Sequence, residues 1–561
     1  MVALGPATRW LQANVTHSAT MLPYIFASIL GAACLLSGVF SAAAVNVRRY
    51  QTHELIFTAG ASPANPFDTY LLKLEVTDPA GRRFNVDGYY DGDGSGGQDG
   101  RVWKARITPY ATGVWSWRTI AADAYDERLA HLTGEFRCVE SEDFGGLVGE
   151  NHHFRLQQGP YVYLQGNFLD LAAPSTHVYM SEKVSDASRE FIIARNRNVH
   201  GANKINVYLA NRGDYQGLSV TPWLGSAAGN DKARMDLARW KLYDRYIRHF
   251  KNAGLFAELW FFADDSKFGE LSDVVKERFF RYAMARTSAF SHTLYVIALE
   301  WEEGWSKAAV MRSGDFIRRH NPWQRPLSVH SRGVSWGFPS AKWAGFIASQ
   351  AGNKATPERV NRSAVILRTT QKLPHIGEEF GYLHGRSDAR LRANLWANFL
   401  GGAAGGGTGS DLKAFQRFLS QSRVPFQRMM PSNHLVLEGG SRRFLLAEPD
   451  HHYVLYSLGG TIRTHLTGAG LAARWFNPRD ANAVLGEPFL VSPGIRTFTP
   501  PDSTDAAWVL WVSDGTNLNT ATLGGFAELT VSQEIVTPKS RALIGTRNDR
   551  RSHPSSLVQG F

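Results

Sequence analysis

Two groups of carboxylates follow strand-like segments and have the chemistry needed to cleave a glycosidic bond. The segment TLYVIALE leads to Glu300, Glu302 and Glu303, and the segment KLPHIGEEF carries Glu378 and Glu379. One protonated carboxyl group can give its proton to the leaving oxygen while an ionised one attacks the sugar or activates water. A carboxyl separation of about 5–5.5 Å favours retention, and one of about 6.5–9.5 Å favours inversion. A carboxylate after a strand also commonly caps a helix or pairs with a basic side chain.

The elements that must position these groups alternate between strand-like and helix-like patterns over residues 144–430. One run, KARMDLARWKLYDRYIRHFKNAG, has helical periodicity from Lys232 and ends at Gly254, a favourable C-terminal stop. Such alternation predicts a parallel sheet, which eight repeats would close into a (β/α)8 TIM barrel. Catalytic groups of such barrels lie at the C-terminal ends of strands. If the two carboxylate segments are the fourth and seventh strands, their ends face each other.

The flanking regions read as short strands separated by turns, so we predict a multidomain chain with a β-sandwich at each side of the barrel. The predicted parts are an export signal or anchor (1–45), an N-terminal β-sandwich (46–143), a catalytic barrel (144–430), a small C-terminal β-sandwich (431–515) and a polar, basic, disordered tail (516–561).

The run from Met21 to Ala44 is apolar, free of charge and closes on small residues. It predicts a secretory signal, with a membrane anchor as the alternative, and hence a secreted, periplasmic or cell-surface location. Cys34 lies in this run, which leaves Cys138 alone after cleavage. We therefore expect no disulfide within the chain and no zinc cluster, and we interpret Cys138 as a buried apolar filler.

The net charge of +11 raises the question of an acidic partner, but no nucleic-acid-binding motif accompanies it. A solvated surface explains the charge most simply, and an acidic glycan is also compatible with it.

The loop DGDGSGGQDG, residues 91–100, partly fits a calcium loop. Its twelfth position is Val102 instead of Glu and no helices flank it, so we interpret it as a hairpin turn. No metal or cofactor is predicted.

Several motifs, in this order, resemble a known family architecture. The segments NPF, GYYDG and WKARITPYATGVWSW resemble an N-terminal domain of unknown function that precedes clan A-like (β/α)8 glycoside hydrolases. RYAMARTSAF followed by LYVIALEWE resembles the fourth-strand region of those enzymes, and PHIGEEFGY resembles the seventh. RRFLLAEP, ARWFNPRD and WVLWV resemble a small C-terminal domain named for collagen binding. Together these segments span most of the 561 residues.

The resemblance implies a retaining glycoside hydrolase in which Glu300 is the acid/base and Glu379 the nucleophile. A carbohydrate is the implied partner. It places His330, Gln350, Trp301 and Trp396 at positions equivalent to the family's fifth-strand His, sixth-strand Gln, fourth-strand aromatic and eighth-strand Trp. From the residues themselves, Tyr382 could orient the nucleophile or the substrate, and Asp264 could bond sugar hydroxyls at the end of the third strand. Adjacent Glu378 should point away from the cleft or find a basic partner, because neighbouring carboxylates repel.

The chain departs from the family at two positions. Leu299 stands where the family has Asn, and Asn206 stands where an Arg is more usual. A register shifted by two would make Glu302 the acid/base, and Glu303 is a further candidate. Leu299 supports a rival interpretation, a non-catalytic carbohydrate-binding or adhesive cell-surface protein on a degenerate barrel. A lyase or peptidase has no support, because neither a metal-binding His pair nor a nucleophile-elbow Ser is present.

Overall fold

The computed structural model describes residues 45–519, apart from short internal gaps. The gaps are 167–175, 216, 227, 264–267, 334, 353–354, 380–387, 407–411, 439–441 and 503–505. The predicted export segment and basic tail therefore lie outside the described residues, and the domain boundaries stay predictions. Within the described part, none of the helices combines the length and the hydropathy needed to cross a bilayer.

The N-terminal region is built of two mainly antiparallel sheets. Its strands are β1 (Val45–Arg48), β2 (His53–Thr58), β3 (Lys73–Thr77), β4 (Arg83–Asp87), β5 (Tyr89–Tyr90), β6 (Val102–Ile107), β7 (Gly113–Thr119) and β8 (Thr133–Val139). They pair in the orders β1-β8-β7-β3-β4 and β2-β6-β5. Buried and half-buried residues alternate along β3, as in a strand with one face on a core. Cys138 is buried in β8, as expected of an apolar filler.

A small antiparallel sheet links this region to the central one. Its strands are β9 (Leu147–Glu150), β10 (His153–Leu156) and β11 (Tyr161–Val162).

The central region confirms the predicted alternation of strands and helices. Its elements are β12 (Leu164–Gln165), α1 (Asp186–Ala194), β13 (Lys204–Tyr208), β14 (Asn211–Tyr215), β15 (Leu218–Val220), β16 (Trp223–Gly225), β17 (Asn230–Met235), α2 (Leu237–Asn252), β18 (Phe256–Phe262), α3 (Asp273–Thr287), β19 (Thr293–Ala298), α4 (Lys307–Arg319), β20 (Leu327–Ser328), β21 (His330–Arg332), β22 (Ile347–Gln350), α5 (Pro357–Thr370), β23 (His375–Glu379), α6 (Asp388–Leu400), β24 (Gly405–Gly406) and α7 (Leu412–Ser422).

Two parallel sheets organise this region, in the orders β12-β24-β23-β22-β21 and β13-β18-β19-β20. Every residue of β18 and β19 is buried, since parallel strands are covered on both faces. Trp260 and Val296 belong to an interior cluster, whereas Phe261 and Tyr295 belong to the main core.

The helix predicted from Lys232 begins later than its periodicity indicated. Residues 230–235 form β17, which pairs with β16 in a hairpin. The Asp236 side chain accepts a hydrogen bond of 3.0 Å from the backbone N–H of Arg239 and caps α2. A capping side chain outweighs propensity here, because it satisfies an N–H group that the first turn leaves without a partner.

The C-terminal region again contains two antiparallel sheets. Its strands are β25 (Met430–Pro431), β26 (Val436–Glu438), β27 (Arg443–Glu448), β28 (His452–Ser457), β29 (Ile462–Leu466), β30 (Ala472–Phe476), β31 (Phe489–Leu490), β32 (Gly494–Phe498) and β33 (Trp508–Ser513). The sheets have the orders β25-β27-β28-β33-β30-β31 and β26-β29-β32.

Candidate active site

Four of the predicted site residues lie along one edge of the parallel sheets. Glu300 follows β19, His330 begins β21, Gln350 ends β22 and Glu379 ends β23. Because neighbouring parallel strands end at the same edge, the fold collects side chains that are far apart in sequence. The structure thus places the two predicted catalytic glutamates at the strand ends where barrel enzymes keep their chemistry.

Gln350 connects the surroundings of the two glutamates. It is the register partner of Glu379 across β22 and β23, and its side-chain Nε2 donates a hydrogen bond to Oε1 of Glu300. The backbone N–H of Ala351 also donates to the carbonyl of Glu379, at 2.9 Å. Glu379 is 4% exposed and the Glu300 side chain is 13% exposed, so both are largely shielded from solvent.

A β-bulge separates the roles of Glu378 and Glu379. Ser349 pairs with Gly377, but the next residue, Gln350, pairs with Glu379, which leaves Glu378 as the extra residue. Bulges re-aim side chains and are frequent beside active sites. The bulge lets two consecutive glutamates occupy different surroundings.

Glu378 points into a buried charged cluster, as its predicted need for a basic partner requires. Nζ of Lys204 lies 2.8 Å from Oε2 of Glu378 and 2.5 Å from Oε2 of Glu258. The Asn206 side chain donates a further hydrogen bond of 3.1 Å to Glu378. Asn206, at the position where the family has Arg, is thus part of this cluster.

The cluster holds two carboxylates against one ammonium. Burial and the neighbouring Glu378 raise the pKa of Glu258, although Lys204 opposes the shift. Burial also works against the charge of Lys204, but the two carboxylates prevail and raise its pKa. The raised pKa values favour a protonated Glu258 beside a charged Lys204.

His330 supports the backbone of Glu300, the predicted acid/base. Its Nδ1 accepts a hydrogen bond of 3.2 Å from the backbone N–H of Glu300. Burial, helped by the charges of Lys204 and Arg332, lowers the pKa of His330 to about 3. The ring is therefore neutral at ordinary pH, which leaves Nδ1 free of a proton and able to accept.

Glu300 itself has a backbone conformation that non-glycine residues rarely adopt. Its φ of 40° and ψ of 59° lie in the left-handed region. Such strain in a non-glycine residue persists only when its surroundings enforce it, and it is concentrated at functional sites. Here His330 holds the peptide and Gln350 holds the carboxylate.

Arg332, which the sequence did not single out, contacts three carboxylates: that of Glu300 and those of Glu302 and Glu303 in the short turn Trp301–Glu303. Its Nε is 3.5 Å from Oε2 of Glu300, and one terminal nitrogen is 2.7 Å from Glu303. Its backbone N–H donates to Glu302 at 3.1 Å. All three carboxylates thus contact Arg332, but Glu302 and Glu303 are exposed, whereas Glu300 is half-buried and also accepts a hydrogen bond from Gln350.

The two tryptophans predicted to contact a sugar, Trp301 and Trp396, lie in different surroundings. Trp301 is half-buried beside Glu300, where its Nε1 donates to Ser331 at 3.0 Å and its ring meets Phe338 at 5.0 Å. Trp396 is 0% exposed and stacks on Tyr456 of the C-terminal region at 5.6 Å. Neither face of Trp396 is open to a sugar, so its predicted substrate contact is wrong and its role is packing. Tyr382 and Asp264 lie outside the described residues.

Leu299 occupies an apolar environment where the family has an amide. It is 4% exposed and belongs to the interior cluster that includes Trp260 and Val296. Its backbone N–H donates to Phe262 at 3.1 Å, which extends the pairing of β18 and β19. The departure from the family is therefore accommodated by packing.

The loop of residues 91–100, predicted to be a hairpin turn, is stabilised by two of its own aspartates. Asp93 accepts hydrogen bonds from the backbone of Ser95 (2.6 Å) and Gly97 (2.9 Å). Asp91 pairs with Lys104 at 2.6 Å and with Arg286 at 2.8 Å. Both carboxylates are thus engaged within the protein, and the described residues contain no group of three side chains suited to a metal.

Lys204 and Glu258 were also missed at the level of sequence. Both stand in strands whose other residues are largely apolar, KINVY and FAELWFF. A charged residue inside a fully buried strand needs a partner of opposite charge. That signal was available, but it did not identify the partner.

The N-terminal region matches a known family. Residues 46–122 fit the family model described as a domain of unknown function, DUF5060, which confirms the resemblance seen in the N-terminal motifs. No curated protein sequence matches this chain.

Solved structures share the architecture of most of the chain. Its structural neighbours are glycoside hydrolases. A candidate glycoside hydrolase from Bacteroides vulgatus is similar with a TM-score of 0.67 and 16% identity, covering 84% of this chain and 99% of its own. A family 5 glycoside hydrolase from the same species gives 0.54 and 13%, covering 66% of this chain and 93% of its own. A third structure, described as a glycoside hydrolase, gives 0.54 and 15%, covering 66% and 97%. At these identities the likeness establishes a fold, a glycosidase barrel with additional β regions.

Proposed function

We propose that this protein is a secreted, retaining glycoside hydrolase that acts on an oligosaccharide or polysaccharide. The observation that carries the proposal is the link through Gln350, which pairs with Glu379 in register and bonds Glu300 through its side chain. Glycoside cleavage requires two carboxyl groups that flank the scissile bond, and both candidates follow strands that end at one edge of the sheets. Secretion is proposed from the apolar run of residues 21–44.

The proposed architecture is a closed (β/α)8 barrel between two β-sandwiches. Two observations support closure. Only Val329 separates β20 from β21, so the two parallel sheets continue into each other at this strand. The backbone N–H of Asn203 donates to the carbonyl of Gln165 at 2.9 Å, joining the chain at β13 to β12. With β20 and β21 counted as one strand, the two sheets of five and four strands supply eight.

In the proposed mechanism, a carboxylate oxygen of Glu379 attacks the anomeric carbon and forms a glycosyl ester. The bond from that carbon to the leaving oxygen breaks, and Glu300 gives this oxygen its proton. Glu300, now ionised, takes a proton from water, whose oxygen attacks the same carbon and releases Glu379. Lys204 and Asn206 keep Glu378 out of the reaction by binding its carboxylate.

A screen on aryl glycosides and on plant and bacterial polysaccharides tests the proposal. The configuration of the first product, followed by proton NMR, should be that of the substrate. Glu379→Ala should abolish turnover, and azide should restore it while giving a glycosyl azide of opposite configuration. Inverted product from the unmodified protein would contradict the nucleophile assignment even if hydrolysis occurred.

The second candidate is a non-catalytic carbohydrate-binding or adhesive protein. Two observations favour it. Leu299 replaces the family's amide with an apolar packing residue, and Arg332 lies 3.5 Å from the carboxylate that would have to donate a proton. Saturable binding of a polysaccharide that the unmodified protein never hydrolyses would select this candidate.

A further inference from the structure

A basic cavity lies at the opposite ends of the parallel strands from Glu300 and Glu379. It has a volume of about 770 Å³. Its wall includes Arg325 to Leu327, just before and at the start of β20, and Lys372 to Pro374, just before β23. The N-terminal region closes the other side through Arg82, Phe84 and Tyr110. The cavity therefore meets the N-terminal ends of the strands, whereas the candidate active site meets their C-terminal ends.

The charge of this cavity is of one sign. Six basic side chains line it and none of its lining residues is acidic; the six are Arg82, Arg318, Arg319, Arg325, Lys342 and Lys372. Among the described residues, Arg82 alone of these six has an ion-pair partner, Asp78 at 3.5 Å. Like charges concentrated in a concave wall attract anions more strongly than the same charges on an open surface.

Arg325 is the strongest indication of a site. It is 5% exposed, and its Nε donates to the carbonyl of Ser288 at 3.0 Å. Its guanidinium forms no ion pair with any carboxylate that the structure describes, and burial lowers its pKa to about 10. The nearest carboxylate that favours its charge, Asp143, acts only from beyond ion-pair distance and is already paired with Lys251 at 2.5 Å. A buried guanidinium in this position would gain from an anionic ligand.

The other cations are placed around it from separate elements. Arg318 and Arg319 lie in the last turn of α4, where positive charge also offsets the helix dipole. That explanation does not extend to Lys342 and Lys372, which lie in loops. One terminal nitrogen of Arg318 donates to the backbone carbonyl of Lys342 at 2.8 Å, which ties the end of α4 to the loop that carries Lys342.

The uncharged lining indicates the kind of anion. Amide and hydroxyl groups of Asn85, Thr108, Asn151, Gln157 and Gln324 share the wall with the cations, and such groups suit the hydroxyls of a sugar.

The aromatic lining argues against a nucleic acid. Trp323 and Trp343 are buried against Phe84 and Phe338, so they offer no open platform for stacked bases. A concave cavity of this volume also suits a short ligand better than a duplex.

We propose that this cavity binds an acidic oligosaccharide, one whose sugars carry carboxylates or sulfates. The site is separate from the candidate active site and does not depend on the proposed hydrolysis. Arg325 and Lys342 bind its anionic groups, together with Arg318, and the neighbouring amides bind its hydroxyls.

Titration calorimetry on the full chain tests this proposal with tetragalacturonate and with neutral galactotetraose of the same linkage and length. We expect tetragalacturonate to bind at least tenfold more tightly, and the affinity to fall as salt is raised. The double variant Arg318→Gln/Lys342→Gln should weaken binding at least fivefold. Its matched control, Arg137→Gln/Lys183→Gln, removes two exposed charges away from the cavity and should change affinity less than twofold.

Further arms locate the site and define its ligand. Glu379→Ala should leave tetragalacturonate binding unchanged, whereas loss of binding would place the ligand in the active site and overturn the proposal. Equal affinity for the two tetrasaccharides, or equal losses in the cavity and control variants, would also overturn it. Tighter binding of an octathymidylate than of tetragalacturonate would exclude a glycan as the ligand.

Discussion

The side-chain amide of Gln350 donates a hydrogen bond to the carboxylate of Glu300, while its backbone stands beside that of Glu379. One residue at the end of β22 thus joins the neighbourhoods of two glutamates that come from strands on either side of it. A neutral donor on a carboxylate fixes its orientation without adding a charge. Gln350 is therefore interpreted as a positioning residue for Glu300.

Replacement of Gln350 by Ala should lower kcat/KM by about 10- to 100-fold, as expected for loss of one hydrogen bond to a charged group. The reduction should appear in kcat more than in KM, because the donor orients the reacting group and not the whole sugar. Steady-state kinetics on the best substrate measure both. Gln51→Ala, an exposed residue of the N-terminal region, is the control and should match the unmodified protein. A pure change in KM would show that Gln350 binds substrate only.

The rate loss caused by Glu300→Ala should depend on the leaving group of the substrate. Loss of a general acid reduces the rate by about 10²- to 10⁴-fold when the leaving oxygen needs a proton. A dinitrophenyl leaving group needs none, so its release should be affected far less. Parallel assays on a dinitrophenyl glycoside and on the corresponding oligosaccharide give the comparison.

Glu302→Ala and Glu303→Ala serve as matched variants for that experiment, because these residues share the same turn and contact Arg332. Each should show losses that do not depend on the leaving group. If Glu302→Ala shows the leaving-group dependence instead, the register of the acid/base is shifted by two.

Lys204→Met should destabilise the fold by about 3–5 kcal/mol, because it leaves Glu258 and Glu378 buried without their cation. Chemical denaturation followed by circular dichroism measures the loss. The double variant Lys204→Met/Glu378→Gln removes one of the orphaned charges and should recover part of it. If Lys204→Met is as stable as the unmodified protein, the two carboxylates take up a proton at little cost in free energy.

Leu299→Asn should destabilise the fold by about 2–4 kcal/mol, since it removes an apolar group from a packed cluster and buries an amide there. Leu299→Met keeps the volume and should cost less than about 1.5 kcal/mol. The same denaturation experiment compares the two variants. An unchanged stability for Leu299→Asn would indicate that the amide reaches a polar partner in the cleft.

Acid should destabilise this protein at a higher pH than carboxylate protonation alone explains. Burial lowers the pKa values of His292, His330 and His375 to about 3 each, from an ordinary value of 6.5. In the unfolded chain they take up protons below pH 6.5, while in the folded chain they stay neutral. The stability that these neutral histidines contribute is therefore fully present above pH 6.5 and is lost as the pH drops toward 3. Well below 6.5, each histidine contributes about 1.4 kcal/mol per pH unit.

Denaturation between pH 6.5 and 5 lies above the range where ordinary carboxylates titrate, and comparison with a histidine variant separates this effect from the titration of Glu258. His375→Gln preserves a partner for Ser349, which lies 2.8 Å from Nε2 of His375. The pH dependence of its stability should be shallower than that of the unmodified protein. The same slope in both would mean that His375 is protonated in the folded state.

The strand and helix pattern of the central region was predictable because its signals are local. Apolar runs such as FAELWFF and capped helices such as α3 and α4 have the period and the end residues that their conformations require. The error at Lys232 arose because β17 is held by pairing with β16, a contact that no window of sequence contains.

The prediction for Trp396 failed for a related reason. Its position in the chain matches a family motif, but the ring stacks on Tyr456 in the C-terminal region. Which face of a helix receives another domain is decided by contacts far apart in sequence. Arg332 and Lys204 were overlooked because their partners lie on other strands.

The sequence alone determined which residues are able to do the chemistry, and that they follow strands of a repeating β/α pattern, because residue type and periodicity are properties of a short segment. Only the tertiary structure decided how those groups are used. The bulge in β23 sends Glu378 to Lys204 and separates it from Glu379, and Gln350 reaches Glu300 across the sheet edge. Such choices depend on strand register and on burial, which exist only when distant segments pack together.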